Sequence, residues 1–520
     1  MSFGNDWSAY LNSLPSSELA SEAFPTKGGR NRQAEARVNT GCAGLDHILE
    51  GGFPKGRIYL IEGDPGAGKT TLALQFVNYG ASRGERTLYI TLSESRSELL
   101  SAANSHGISL DGVEIVELLP DEDDLLPEQQ YTVFHPAEVE LNDRMQRIVT
   151  EVQRVRPDRL VIDALSELRM LAKDPLRYRR QILSLKNFMS DQKCTVLLLD
   201  DRTSRDSDLQ LHSLVQGVIC LNKVPREYGK IRRQVEVVKL RGTAYREGFH
   251  DYTIVTGGVL VFPRLVAADT RNEQTPEVVS SGIRELDALT GGGLDRGTST
   301  LLIGPAGCGK TSIAVQWAES AAKRGECSSI FTFEEAPRTL ITRAAGLGID
   351  IRPHIESGKI CIQRVDPAEL TPGELVAAVQ YQVEHAHSRM VVLDSLNGYL
   401  QSMPGEKFLA VHLHELLAYL GNRGILTLLV LAQAGGMGPA LQSAVDVSYL
   451  ADNILLLRYF ESQGELRQAI SIVKRRSGNH EHTIRELRLT PGRIQIGKPL
   501  HEFQGVLTGT PTFLGGAKES

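Results

Sequence analysis

A chain of 520 residues is too long for one hydrophobic core and suits two domains of ordinary size. Its 41% hydrophobic and 23% charged residues are those of a soluble globular protein, and a net charge of −6 lacks the global basic signal of a nucleic-acid binder. No apolar run approaches the roughly 20 residues that span a bilayer, the start Met1-Ser2-Phe3-Gly4-Asn5-Asp6 lacks a basic-then-apolar leader, and the six scattered cysteines form no C-x-x-C pair, so a reduced, cytoplasmic protein is expected.

Residues 1–36 are polar, with a weak amphipathic run from Trp7 to Ala20, and read as a largely disordered arm. A first domain is expected over 37–265, a proline-bearing linker over 266–278, a second domain over 279–505 and a short loose tail over 506–520. In the first domain, Arg57–Ile61 has strand character and Leu72–Phe76 opens a helix-like run. Between them Gly63-Asp64-Pro65-Gly66-Ala67-Gly68-Lys69-Thr70-Thr71 fits G-x-x-x-x-G-K-[ST], a phosphate-binding loop in its proper strand-loop-helix context. Thr87–Glu94 and Arg159–Asp163 are apolar runs ending in acid, the pattern of buried parallel strands whose carboxyl ends face a ligand. The acidic cluster Asp121 to Asp124 reads as a solvated loop. Val196–Leu199, Gly217–Leu221 and Arg233–Lys239 supply further strands.

The second domain repeats the first. Gly304-Pro305-Ala306-Gly307-Cys308-Gly309-Lys310-Thr311-Ser312 is a second phosphate loop, and Lys310 follows Lys69 by the same 241 positions by which Asp287 follows Asp46. Ser328–Glu335, Arg389–Asp394, Thr427–Leu431, Asn453–Leu457 and Gln468–Lys474 match the later strands. The fold class is therefore α/β: two tandem phosphate-loop domains, each a mostly parallel sheet flanked by helices.

The chemistry implied is phosphoryl transfer from ATP with Mg²⁺. The loop glycines let consecutive N–H groups face a triphosphate, Lys69 and Lys310 reach its outer phosphates, and Thr70 and Thr311 offer hydroxyls to the metal. Asp163 and Asp394 are the acids expected to hold hydrated Mg²⁺, the alternative being a helix cap. Glu334 and Glu335 are candidates to orient or deprotonate the attacking group. The first-domain pair is Ser93-Glu94, so only Glu94 keeps the carboxylate, and a slower or differently organised site is expected there. Lys239-Leu240-Arg241 and Lys474-Arg475-Arg476 place two cations on one strand face, to reach a phosphate across a subunit boundary or to protect a solvated edge. Cys308 reads as a small residue tolerated beside glycine rather than an oxidation sensor.

These residues resemble the KaiC family of circadian-clock ATPases, in the RecA superfamily. The resemblance runs from about Val38 to Phe513 through the tandem loops, Thr332-Phe333-Glu334-Glu335, Asp394-Ser395-Leu396, Lys239-Leu240-Arg241-Gly242-Thr243 and Glu461-Ser462-Gln463-Gly464-Glu465. It implies RecA-like domains, a homohexamer of two tiers with ATP between protomers, hydrolysis in the first domain, and autokinase and autophosphatase activity in the second on an adjacent Ser and Thr. Those positions match Ser448 and Tyr449, with Glu334 as base for Ser448. Tyr449 departs from the pattern, since its hydroxyl lies several ångströms further from the backbone. The tail is also short after Glu502-Phe503-Gln504-Gly505. Partners of the KaiB-like or two-component signalling kind are implied, in timing, stress or signalling. The rivals are an ATP-driven conformational switch without autophosphorylation and a RecA-like nucleic-acid motor, which the acidic balance disfavours.

Overall fold

The computed structural model describes residues 36–119, 136–172, 174–202, 211–225, 229–269, 277–366, 368–401, 409–433, 448–506 and 512–513. The expected arm up to residue 35, the acidic cluster at 121–124, residues 270–276 of the linker and all of the tail except residues 506, 512 and 513 lie outside them. Arg264 closes one compact unit and Leu265 opens another.

The first unit is built on β1 (Ile58–Gly63), β2 (Thr87–Thr91), β3 (Val113–Glu117), β4 (Arg159–Asp163), β5 (Thr195–Asp201), β6 (Gly217–Val224), β7 (Arg232–Leu240), β8 (Phe249–Val255) and β9 (Gly258–Phe262). They form one nine-stranded sheet in the order β3-β2-β4-β5-β1-β6-β7-β8-β9. The first six strands of that order run parallel, and β7, β8 and β9 return antiparallel. Alternation along the strands divides the core. Tyr59, Ile61, Leu197 and Leu199 join the cluster under Lys69–Ala81 (α1), while Ile58, Leu60, Val196 and Leu198 face Pro136–Val155 and Pro175–Gln192 on the other side. With both faces covered, the central parallel strands are mostly apolar and read as runs, whereas the edge strand β3 alternates, with Glu114 and Glu117 exposed.

The second unit repeats this with β10 (Ser299–Gly304), β11 (Cys327–Thr332), β12 (Ile360–Arg364), β13 (Ser388–Asp394), β14 (Leu426–Ala432), β15 (Asn453–Ser462), β16 (Glu465–Arg475), β17 (Arg485–Thr490) and β18 (Arg493–Pro499). Their order, β12-β11-β13-β14-β10-β15-β16-β17-β18, is that of the first sheet strand for strand. Lys310–Lys323 (α2) occupies the place of α1, with Trp317 fully buried beneath it. The duplication expected from the spacing is therefore one of topology as well.

Two strand expectations need correcting. β7 ends at Leu240 and β16 at Arg475, so Arg241 lies in a turn and Arg476 in a bend rather than on the strand faces of Lys239 and Lys474. β2 ends at Thr91, and Ser93-Glu94 is a bend rather than extended chain: the Thr91 hydroxyl donates to Glu94 O (2.7 Å) and accepts from Glu94 N–H (3.0 Å).

Beside β9, His250 is buried with Nδ1 accepting from the Arg264 N–H (2.8 Å) and Nε2 facing Arg246 O (3.1 Å), an arrangement that holds a neutral ring. Burial depresses its pKa to about 4. A histidine depressed on folding contributes stability that is complete above its unfolded value near 6.5 and is lost as pH falls toward 4, up to roughly 3 kcal/mol. Melting temperature measured against pH should therefore show a steeper acid limb for the wild type than for His250→Gln; parallel limbs would refute the assignment.

Candidate functional site

Both phosphate loops leave the carboxyl end of the central strand and enter a helix through a glycine whose backbone conformation other residues rarely adopt. Gly68 (φ +101°) and Gly309 (φ +97°) are the left-handed N-caps of α1 and α2, and a Cβ there would stand 2.7 Å from Ile254 and 2.8 Å from Leu489. Gly66 and Gly307 also have positive φ, so each loop bends back on itself over Pro65 or Pro305 and Ala306. In the first unit the loop is braced from outside: Asp64 accepts from the Lys223 N–H (3.1 Å), the Lys223 amine donates to Pro65 O (3.2 Å), and Tyr252 donates to Ala67 O (2.5 Å).

The lysines turn back beneath the loops. Lys69 Nζ donates to Gly63 O (3.0 Å) and Asp64 O (3.1 Å), and Lys310 Nζ to Gly304 O (2.9 Å) and Pro305 O (2.6 Å). Lys69 is also paired with Asp201 at 2.7 Å. Burial lowers the pKa of Lys310, against the pull of Cys308 and Asp394. Cys308 is itself fully buried, and burial raises its thiol pKa, which favours the inert small-residue reading over a sensor.

Asp163 and Asp394 end β4 and β13 beside these loops. The Thr70 hydroxyl donates to Asp163 (3.1 Å), as does Tyr89 OH (2.5 Å), and Thr311 hydrogen-bonds Asp394. Burial raises the pKa of both acids, and the hydroxyl partners pull it back. The capping alternative for Asp394 falls to its neighbour, because Ser395 Oγ accepts the Gly398 N–H (3.4 Å). A threonine hydroxyl beside one buried carboxylate is an all-oxygen donor set of the sort that fits Mg²⁺, which keeps most of its waters and uses one or two protein carboxylates. Thr71 is half-buried and Ser312 buried in the first turns of the two helices.

The acid pairs differ between the units. Glu334, two residues past the end of β11, is exposed and accepts from Ser395 Oγ (3.1 Å), while Glu335 pairs with Arg343 at 2.6 Å. Burial raises the pKa of Glu335, with Arg343 opposing. At the matching places of the first unit stand Ser93, Ala164 and Ala102, so Glu94 has neither the serine nor the arginine. Its pKa is raised by burial and by Asp163.

The basic pairs are not beside their own loops. β7 and β16 run antiparallel to the phosphate-loop strands, so Leu240 pairs with Gly217 and Arg475 with Asn453, at the amino edge of each sheet. Asn453 in turn pairs with Thr300, four residues or roughly 13 Å along the strand before Gly304. Lys239 donates to His212 O, and Arg241 to Ser213 O (2.9 Å), with Leu240 in the core between them. Lys474 donates to Ser448 O (3.1 Å) and Ala451 O (2.7 Å); Arg476 donates to Tyr449 O (2.9 Å) and pairs with Asp452 (3.1 Å). Ser448 and Tyr449 thus sit at the amino edge too, Tyr449 largely exposed. Sequence reasoning missed Tyr89, Arg343, Ser395 and Asp201. Asp201 alone carried a signal, since Asp200-Asp201 ends an apolar strand as the other acids do.

The family model for the KaiC ATPase matches residues 38–266 and again 279–501. The chain is similar to a circadian clock protein KaiC3 of Synechocystis, at 26% identity over 92% of this chain and 95% of that protein. It is similar also to the circadian clock oscillator proteins KaiC of Acaryochloris marina, at 26% over 94% and 93%, and of Prochlorococcus marinus, at 27% over 93% and 97%.

Proposed function

Since the chain belongs to the KaiC ATPase family, we propose that it is a ring-forming ATPase whose second unit phosphorylates Ser448 of a neighbouring copy. What supports this reading is the separation of parts across each sheet. Loop, lysine, metal acid and Glu334 gather at the carboxyl edge, whereas Lys474, Arg476 and Ser448 gather at the amino edge of the same unit. A site holding all of them needs two copies, with the carboxyl edge of one facing the amino edge of the next. Repeating such a head-to-tail contact closes a ring, here a homohexamer of two tiers.

In this reading the loop N–H groups, Lys69 and Lys310 bind the phosphates of ATP. Mg²⁺ would be held by Thr70 with Asp163 and by Thr311 with Asp394, and when bound it neutralises charge on the outer phosphates. Glu334 takes the proton from Ser448 Oγ as that oxygen bonds to the γ-phosphorus; the bond from phosphorus to the bridging oxygen breaks and ADP leaves. Phosphatase action is attack by water on the phosphoserine: the new bond from water oxygen to phosphorus forms as the bond to Ser448 Oγ breaks, the serine oxygen regains a proton and inorganic phosphate leaves. The first unit, with Ser93 in place of the leading acid, hydrolyses ATP more slowly than the second would with water as acceptor. Tyr449 is a poorer acceptor than Ser448, its hydroxyl being carried beyond the reach set for a serine. In this reading the protein acts in the cytoplasm in timing, stress or signalling, with KaiB-like or two-component partners, and the family likeness is what supports it.

Incubation with γ-labelled ATP should leave label on the wild type and none on Ser448→Ala. Hexamers that form with ATP yet retain no label would instead favour the conformational switch. Stimulation of the ATPase by DNA, with salt-sensitive binding, would favour the nucleic-acid motor.

A further inference from the structure

The two phosphate-loop lysines differ in their side-chain partners: Lys310 Nζ donates to Cys308 Sγ (3.9 Å), whereas Lys69 meets a carboxylate. Lys69 Nζ is held at 2.7 Å by Asp201, whose side chain is about one-third exposed, at 34%. β5, which ends in Asp201, lies between the phosphate-loop strand β1 and the Asp163 strand β4. Asp201 pairs in register with Gly63, the first loop residue. Its neighbour Asp200 is buried and paired with Arg169, which fixes the strand end. In the second unit the residue in register with Gly304 is Ala432, followed by the neutral Gln433. No carboxylate meets Lys310 from that strand.

We propose that Asp201 sets how the first nucleotide site ranks triphosphate against diphosphate, by presenting a competing carboxylate to the lysine that grips the outer phosphates. The proposal rests on the reading of Gly63–Thr71 as a nucleotide loop. An anion drawn to Lys69 must share the amine with Asp201, and the γ-phosphate brings the added negative charge closest to that carboxylate. ADP, lacking it, is penalised less. A like charge a few ångströms away in a partly buried site alters binding by roughly ten- to a hundredfold. Asp201 would be a positioning residue, acting through Lys69, and it makes the first site the more tolerant of ADP.

The test measures ATP and ADP affinity by competition with a fluorescent nucleotide on the full chain carrying Lys310→Ala, so that the first site is read. Asp201→Asn, which keeps the shape, and Asp201→Ala, which copies the second unit, are expected to raise the preference for ATP over ADP roughly tenfold or more. The reciprocal Ala432→Asp, in a chain carrying Lys69→Ala, should lower that preference at the second site. A merely structural Asp201 would weaken both nucleotides together, and an unchanged ratio in Asp201→Asn overturns the proposal even though both nucleotides bind. Binding of neither nucleotide to the Lys310→Ala chain would instead defeat the reading of the first loop, and the proposal with it.

Discussion

Lys310→Ala is expected to cost the second unit roughly thirty- to several-thousandfold in ATP affinity, and Lys69→Ala to do the same in the first. Each amine is buried beneath its loop against two backbone carbonyls, so it is already oriented when an anion arrives and loses little entropy on contact. Truncating one member of a buried, charge-assisted pair costs about 2 to 5 kcal/mol, which is one to three powers of ten and more. Alanine leaves the helix and its glycine cap intact, so each variant should remain folded. The effect should extend to assembly, because the proposed ring places ATP where two copies meet. Native mass spectrometry with Mg-ATP should give hexamers for the wild type and smaller species for the double variant. A double variant that retained nucleotide and hexamer alike would remove the basis for placing ATP in these loops.

Glu334→Gln is expected to lower phosphoryl transfer onto Ser448 by about a hundred- to ten-thousandfold while leaving ATP binding nearly unchanged. The carboxylate is exposed and oriented by Ser395 Oγ at 3.1 Å, and glutamine preserves that acceptor while removing the base. Glu335→Gln should have the smaller effect, because the Glu335 carboxylate is engaged by Arg343. Intact mass after ATP treatment separates the two: the wild type and Glu335→Gln gain phosphate, and Glu334→Gln does not. Equal loss in both would mean that the pair acts as a unit, and unimpaired transfer in Glu334→Gln would exclude it as the base.

The arrangement accounts for a duplicated machine with unequal halves. The second unit carries Glu334, Ser395 and Arg343 around its acid, whereas the first has Ser93, Ala164 and Ala102 at those places and adds Asp201 on its lysine. The fold is shared; the charges around the phosphate loops are not.

Much of this was readable from the chain alone because it is encoded locally. A phosphate loop is nine contiguous residues between a strand and a helix, a doubly covered strand is a contiguous apolar run, and a constant spacing reveals duplication without knowledge of any contact. Pairings across the sheet are of another kind. Thr70 meets Asp163 from 93 positions away, and Lys69 meets Asp201 from further still. Which strand ends become neighbours is fixed by strand order, and the antiparallel return of β7 and β16 sends Lys239 and Lys474 to the edge opposite their own loops. Sequence spacing names the reacting groups, since their chemistry is their own. Folding alone assigns them to one edge or the other, since that depends on the direction in which distant strands run.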